Sequence, residues 1–281
     1  MARNLWIGKP GLLREISQAA KSWDRSADLN ITEFRSLEGR VTLVAPPRTT
    51  RRMKLSFEWL EPDDAQHLVR LARRVTGPGM LGRDAPARGS VVVLDPASVN
   101  LLDPLQAAGQ SLDPRGGDHW FTVAGDLTFR PSAGEVFTGD CKDVASAVGW
   151  THGAWTGWPV APGMDVSWRI PPEWDEAVCT AQLDWKAVDG SYLSTTAVPG
   201  PVVSGTAPAA AAFVTPVGRP GRTGAVTLAG ACLTIGEAPA AHALGDGCPP
   251  MAVTNLTDTP SARLPYRNIA IDLVEVRGAA N

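Results

Sequence analysis

From His119 to Pro250 the chain never sustains a helical period: Trp, Thr, Val, Gly and Pro fill strand-sized blocks broken by turn residues. A helix needs apolar residues recurring every three or four positions over ten residues or more, so short punctuated blocks favour antiparallel strands. Strands of this kind bury their apolar sides by packing sheet on sheet, and a β-sandwich or jelly roll is expected. Asp113-Pro114-Arg115-Gly116-Gly117 supplies a turn-rich boundary in front of it. With 281 residues, 44% hydrophobic and 20% charged, the chain is long enough and apolar enough for two packed domains.

The first hundred residues have a different texture. Asn4 to Ile7 and Leu12 to Ile16 read as strands around the turn Gly8-Lys9-Pro10-Gly11. Leu29 to Phe34 and Arg40 to Val44 are two more, separated near Glu38-Gly39 and closed by Pro46-Pro47. Met53, Leu55, Phe57 and Trp59 alternate with Lys54, Ser56 and Glu58, the pattern of a half-buried strand whose residues could serve core or interface. Pro62-Asp63-Asp64 opens a helix with acids at the positive end of its dipole; Leu68, Leu71, Ala72 and Val75 form its apolar stripe, and Gly77-Pro78-Gly79 stops it. Val91 to Leu94 is a further strand, ended by Asp95-Pro96. Later, Val202 to Pro216 and Gly221 to Ile235 read as extended, and Ala238 to Pro250 as a surface loop. The fold class is mainly β: a β-rich domain with one short helix, plus an inserted sandwich.

Charge and special residues remove several functions. A net charge of -3 gives no electrostatic case for nucleic acid, and only five of the 26 basic residues are Lys. No apolar run reaches 18 residues, so no membrane span is expected, and Met1 to Trp6 lacks a secretory core, which points to synthesis in the cytoplasm. Cys141, Cys179, Cys232 and Cys248 form no CxxC pair and have no His at zinc spacing, so no zinc site and no cofactor is expected. Asp140, Asp143, Asp165 and Asp184 supply oxygen ligands for Ca²⁺ but without EF-hand spacing, which leaves calcium binding by the sandwich open. Cys179 and Cys232 read as packing residues, while Cys232 to Cys248 would close a loop only under oxidising conditions. His67, His119, His152 and His242 lie far apart, no G-x-S-x-G elbow is present, and Glu173 and Asp175 share one loop rather than facing across a cleft. Catalysis is not expected.

The order of pieces resembles the distal tail and minor tail proteins of long-tailed bacteriophages of high-GC actinobacterial hosts. These pieces are the Arg-rich entry Arg48 to Lys54, the strand ending Phe57-Glu58-Trp59-Leu60, the helix after it, the Val-Leu-Asp-Pro strand end and Asn100-Leu101-Leu102. The closing run Leu264 to Val276 completes a likeness covering about half the chain. The resemblance implies a tail-tip protein of the virion whose β-rich domain assembles into a ring, a hexamer, that joins the tail tube to the tip or baseplate. It implies partners among the tail tube protein and other tip proteins, and residues 1–112 with 252–281 as the ring domain around an inserted 113–251. Arg48, Arg51, Arg52 and Lys54 are then candidates for the subunit interface, with a solvated edge as the plainer alternative.

A second resemblance lies within the insertion. Val160-Ala161-Pro162-Gly163 before a strand, an alternating strand ending Asp184-Trp185, and Asp189-Gly190 before Tyr192-Leu193 are similar to carbohydrate-binding jelly rolls. Trp150, Trp155, Trp158, Trp168 and Trp174 fall within 25 residues, and flat indoles stack on sugar rings as readily as they fill cores. Trp155, Trp158 and Trp174 sit on Gly/Pro-rich segments and are the candidates for host cell-wall glycan, whereas Trp168 and Trp185 lie on strands and belong in the core. The alternative reading is a stand-alone carbohydrate-binding module or adhesin, and behind it an accessory domain of a cell-wall hydrolase.

Overall fold

The computed structural model describes residues 4–18, 20–29, 31–44, 49–74, 90–95, 97–131, 136–236 and 239–276. Pro46, Pro47, Arg48, Val75, Gly77-Pro78-Gly79, Pro96 and Ala238, all used above, lie outside them. The chain begins with β1 (Leu5–Lys9), β2 (Leu12–Ile16), β3 (Ser22–Asp28), β4 (Thr32–Arg35), β5 (Val41–Val44) and β6 (Thr50–Leu60). The helix α1 (Pro62–Ala72), β7 (Val92–Leu94) and the one-turn α2 (Pro104–Ala107) follow. Next come β8 (Trp120–Ala124), β9 (Leu127–Pro131), β10 (Phe137–Cys141), β11 (Ala147–Trp150), β12 (Trp158–Pro159) and β13 (Asp165–Arg169). The run continues with β14 (Thr180–Lys186), β15 (Tyr192–Pro199), β16 (Val202–Thr206), β17 (Phe213–Arg219), β18 (Gly224–Thr227) and β19 (Cys232–Ile235). Two long strands, β20 (Met251–Pro260) and β21 (Arg267–Glu275), close the chain. The protein is mainly β, built from antiparallel sheets.

Two compact units divide the chain, residues 1–15 with 92–248 and residues 16–91 with 249–281. The second unit is a sheet ordered β20-β21-β6-β3. Its closing strand β21 runs antiparallel to β6, placing Ile271 opposite Leu55 and Leu273 opposite Met53. Those residues, with Phe57 and Ile269, are buried together with Ala65, Leu68 and Leu71 of α1, which packs against β20 and β21. The apolar stripe of an amphipathic helix thus covers the apolar face of the sheet. On the other face Lys54 stands opposite Asp24 on one side and Asp272 on the other. The strands β4 and β5 pair only with each other.

The first unit is a sandwich. A six-stranded sheet, ordered β15-β14-β17-β11-β8 with β12 also on β17, stands beside a sheet ordered β16-β13-β19. Trp168 of β13 donates its indole N–H to the Val217 carbonyl of β17 at 3.0 Å, so the two layers are hydrogen-bonded through the core as well as packed. Trp150 meets Trp168 edge-on at 4.8 Å between ring centres. Two smaller sheets, β18-β10-β9 and β2-β1-β7, complete the unit.

The division falls elsewhere than the sequence suggested. Residues 92–112 belong with the sandwich, because β7 pairs with β1 and because Asn100 is tied into β19. Asn100 is fully buried and uses its whole amide. It donates to the carbonyls of Ala231 (3.1 Å) and Ala243 (3.0 Å) and accepts from the N–H groups of Leu102 and Leu233, both at 3.1 Å. One side chain therefore clamps three segments. Asn100→Asp removes both donors and sets a carboxylate against two carbonyls, and we expect it to cost about 3 kcal/mol or more. A lower urea midpoint in a circular-dichroism titration would register that loss.

Candidate binding surfaces

Two of the three tryptophans expected to meet glycan are buried. Trp158 is 2% exposed and donates its N–H to the Leu101 carbonyl at 3.0 Å; Trp174 is 3% exposed and donates to Thr227 at 2.7 Å. Segments rich in Gly and Pro suggested exposure, but here the small residues make room for the rings. A Cβ on Gly218 of β17 would lie 2.8 Å from the Trp174 ring. Trp155 is half-buried, packed on the sandwich core with its ring 4.8 Å from that of His152. The three therefore offer no shared open platform. Trp168 and Trp185 lie in the core, as their strand positions suggested.

The basic cluster is partly met from within. Arg52 pairs with Asp28 at 2.6 Å, and Lys54 lies between Asp24 and Asp272 in the ladder. The Arg51 backbone N–H donates to Glu275 at 3.1 Å, while Arg48 lies outside the described residues. These partners within the sheet reduce what the cluster has left to offer a neighbouring subunit.

The outer face of the large sheet carries a polar ladder. Tyr192 donates its hydroxyl to Thr195 at 2.9 Å, and Thr195 donates to Asp184 at 2.5 Å. Gln182 also donates to Asp184, at 2.7 Å, and accepts from Arg219 at 3.1 Å. Lys186 and Thr215 both donate to the Thr156 carbonyl, at 2.9 and 3.2 Å, and burial pulls the Lys186 ammonium below the usual lysine range. Period-2 side chains of adjacent strands meet at this spacing. The face satisfies its own polar groups, which suits a stable surface better than ligand capture. Asp175 likewise accepts from the Ala177 N–H at 3.0 Å in a local turn.

Among the described residues no group of three or more His, Cys, Asp or Glu side chains is placed to hold a metal ion, and no helix is long and apolar enough to cross a membrane. All four cysteines are buried and none is in a disulfide; burial raises the thiols of Cys141 and Cys179 and pushes Cys232 up to about 12.

The alternation from Met53 to Trp59 left core and interface residues undivided, and the structure divides them: Trp59 is 44% exposed while Phe57 and Leu60 are buried. The alternation breaks because Glu58 and Trp59 together face the single residue Asn268 of β21. The signal was present: Trp59-Leu60 places two apolar residues side by side, and one of them must leave the core.

No protein-family model matches the chain, and no curated protein matches it. Among solved structures it is similar to the enzymatically active domain of tailspike protein 4 of Bacteriophage CBA120, with a TM-score of 0.33 and 11% identity. That likeness covers 49% of this chain and only 21% of the other. So distant a likeness carries no functional conclusion.

His152 is a fully buried titratable group of the sandwich. Its Nδ1 accepts from the Ala154 N–H at 3.1 Å, so Nε2 carries the proton and donates to the Cys248 carbonyl at 2.9 Å. Complete burial brings its pKa down to about 4, against the bond to Cys248 and the charge of Asp103. In the unfolded chain the ring protonates near 6.5. Stability is then full above pH 6.5 and declines as the pH falls toward 4, by about 3 kcal/mol from this group. Urea titrations across that range should show the slope in the wild type and a shallower one in His152→Gln.

Proposed function

We propose that the chain is a non-catalytic assembly subunit, specifically a virion protein of the tail-tip kind that its motif order resembles. The observation that carries this reading is the hairpin of β4 and β5. All eight of its strand residues are exposed, including Phe34 (57%), Val41, Leu43 (62%) and Val44, with Leu29, Ile31 and Leu37 exposed beside them. An isolated two-stranded hairpin is marginal in water, and this one shows apolar side chains on both faces. Phe34 and Val44 lie on one face, Val41 and Leu43 on the other. Packing between copies would give such a hairpin the cover it lacks.

The pairing of β21 with β6 is consistent with the reading, because the resemblance includes that closing strand. Ring closure requires two different faces of each subunit to meet, and a two-faced hairpin is suited to lie between neighbours. The sixfold number, the tail tube contact, the other tip partners and the place at the tail tip come from the resemblance. A glycan-binding role for the sandwich loses its main support, since Trp158 and Trp174 are internal.

Sedimentation velocity over a concentration series tests the proposal. The wild type should form a discrete oligomer, and Phe34→Ser combined with Leu43→Ser should return it to monomer. Because both side chains are exposed, the thermal midpoint of the monomer should hardly move, with less than about 1 kcal/mol lost. A wild type that stays monomeric at every concentration would sink the self-assembly reading.

A further inference from the structure

Trp59 holds a backbone conformation that its residue type disfavours. Its φ is +64°, in the left-handed region where a Cβ crowds the following carbonyl and glycine is the usual occupant. The cause is a β-bulge, in which Glu58 and Trp59 of β6 face Asn268 alone on β21. In bulges of this kind the left-handed position most often holds glycine, and the bulge re-aims the side chain it carries. Here it turns the largest side chain of all out of the sheet, leaving it 44% exposed. Strain held at an exposed aromatic residue is a reason to look for a task that the side chain performs.

The surroundings indicate the task. Tyr266, half-buried in the turn before β21, lies with its ring 6.4 Å from that of Trp59 and tilted by 57°. Asn268 accepts from the Trp59 N–H at 3.1 Å through its carbonyl oxygen, which directs the amide nitrogen away from that contact. Two of the neighbouring charges are paired within the sheet, Lys21 with Glu58 and Arg267 with Asp258 at 3.1 Å, while Glu61 and Arg263 lie exposed in the flanking turns. Two rings meeting at an angle, bordered by an amide and charges, differ from the centre of a protein interface. Such a centre is contiguous, apolar and depleted of charge. The arrangement fits an uncharged ligand with one C–H face and a rim of hydroxyls. Leu264, exposed in the same turn, adds apolar surface at the edge.

We propose that Trp59 and Tyr266 form a platform for the ring of a neutral saccharide, with the Asn268 amide and the Tyr266 hydroxyl donating to its hydroxyl groups. This goes beyond the assembly role and is independent of the hairpin on which that role rests.

Isothermal titration of the full chain with a panel of neutral oligosaccharides (cello-, chito-, xylo-, manno-, malto- and galacto-series) provides the test. At least one series should bind. Trp59→Gly should weaken that binding by about tenfold or more, and Tyr266→Ala should weaken it too, while Trp59→Phe retains most of it. Glycine relaxes the strained backbone, so the melting temperature of Trp59→Gly should stay within about 2 °C of the wild type or rise. If no series binds, or if Trp59→Gly binds normally, the proposal is overturned. A steep fall in melting temperature in Trp59→Gly would assign the indole to packing. A change of oligomeric state in that variant without saccharide binding would assign it to a protein contact, and either result also overturns the proposal.

Discussion

Asn100 occupies a position where the chain has no alternative to a complete hydrogen-bond set. Its amide is sealed from water, so each unmade bond would leave a polar atom stranded, at a cost of about 1–3 kcal/mol. By making all four, it fixes the segment after β7 against β19 and against the loop that precedes Cys248. Leu101, directly after it, supplies the carbonyl that receives the Trp158 indole. The seating of one tryptophan thus follows from the placement of one amide.

The same accounting explains part of the sandwich interior. Trp158, Trp168, Trp174 and Trp185 each bury a large apolar ring and each find an acceptor for the indole N–H, whereas Trp120 and Trp150 are buried on ring packing alone, with no acceptor for theirs among the described residues. A ring that is apolar except for one donor can be buried cheaply only where an oxygen waits at the correct distance. Those acceptors come from Leu101, Val217, Thr227 and Thr196, which lie 11 to 57 residues away in sequence. Local composition around Trp158 and Trp174 therefore could not reveal that they are internal.

Elements with strong local signals were legible. The alternation in β6 as far as Phe57, the Pro-Asp-Asp start of α1 and the strand near the end of the chain all follow from periodicity or capping chemistry. β3 was not legible, because Ser22–Asp28 is polar along most of its length and is a strand only because β6 offers it a partner. β20 was hidden for the same reason, and α2 is a single turn begun by Asp103 and Pro104. The polar ladder on the large sheet is a product of register, since Asp184 and Thr195 become neighbours only once β14 and β15 pair. The bulge at Trp59 lay between these cases: the doubled apolar pair announced it, but a strict alternation was assumed through it.

The burial of the four cysteines has an experimental consequence. Cys141, Cys179, Cys232 and Cys248 all lie in the unit that contains the sandwich, and residues 16–91 and 249–281 contain none. Buried thiols with raised pKa values react with alkylating agents only when the surrounding structure opens. The wild-type chain therefore carries its own clock for the sandwich, silent to events in the other sheet, and the order in which the four sulfurs are modified would trace how that half of the molecule comes apart.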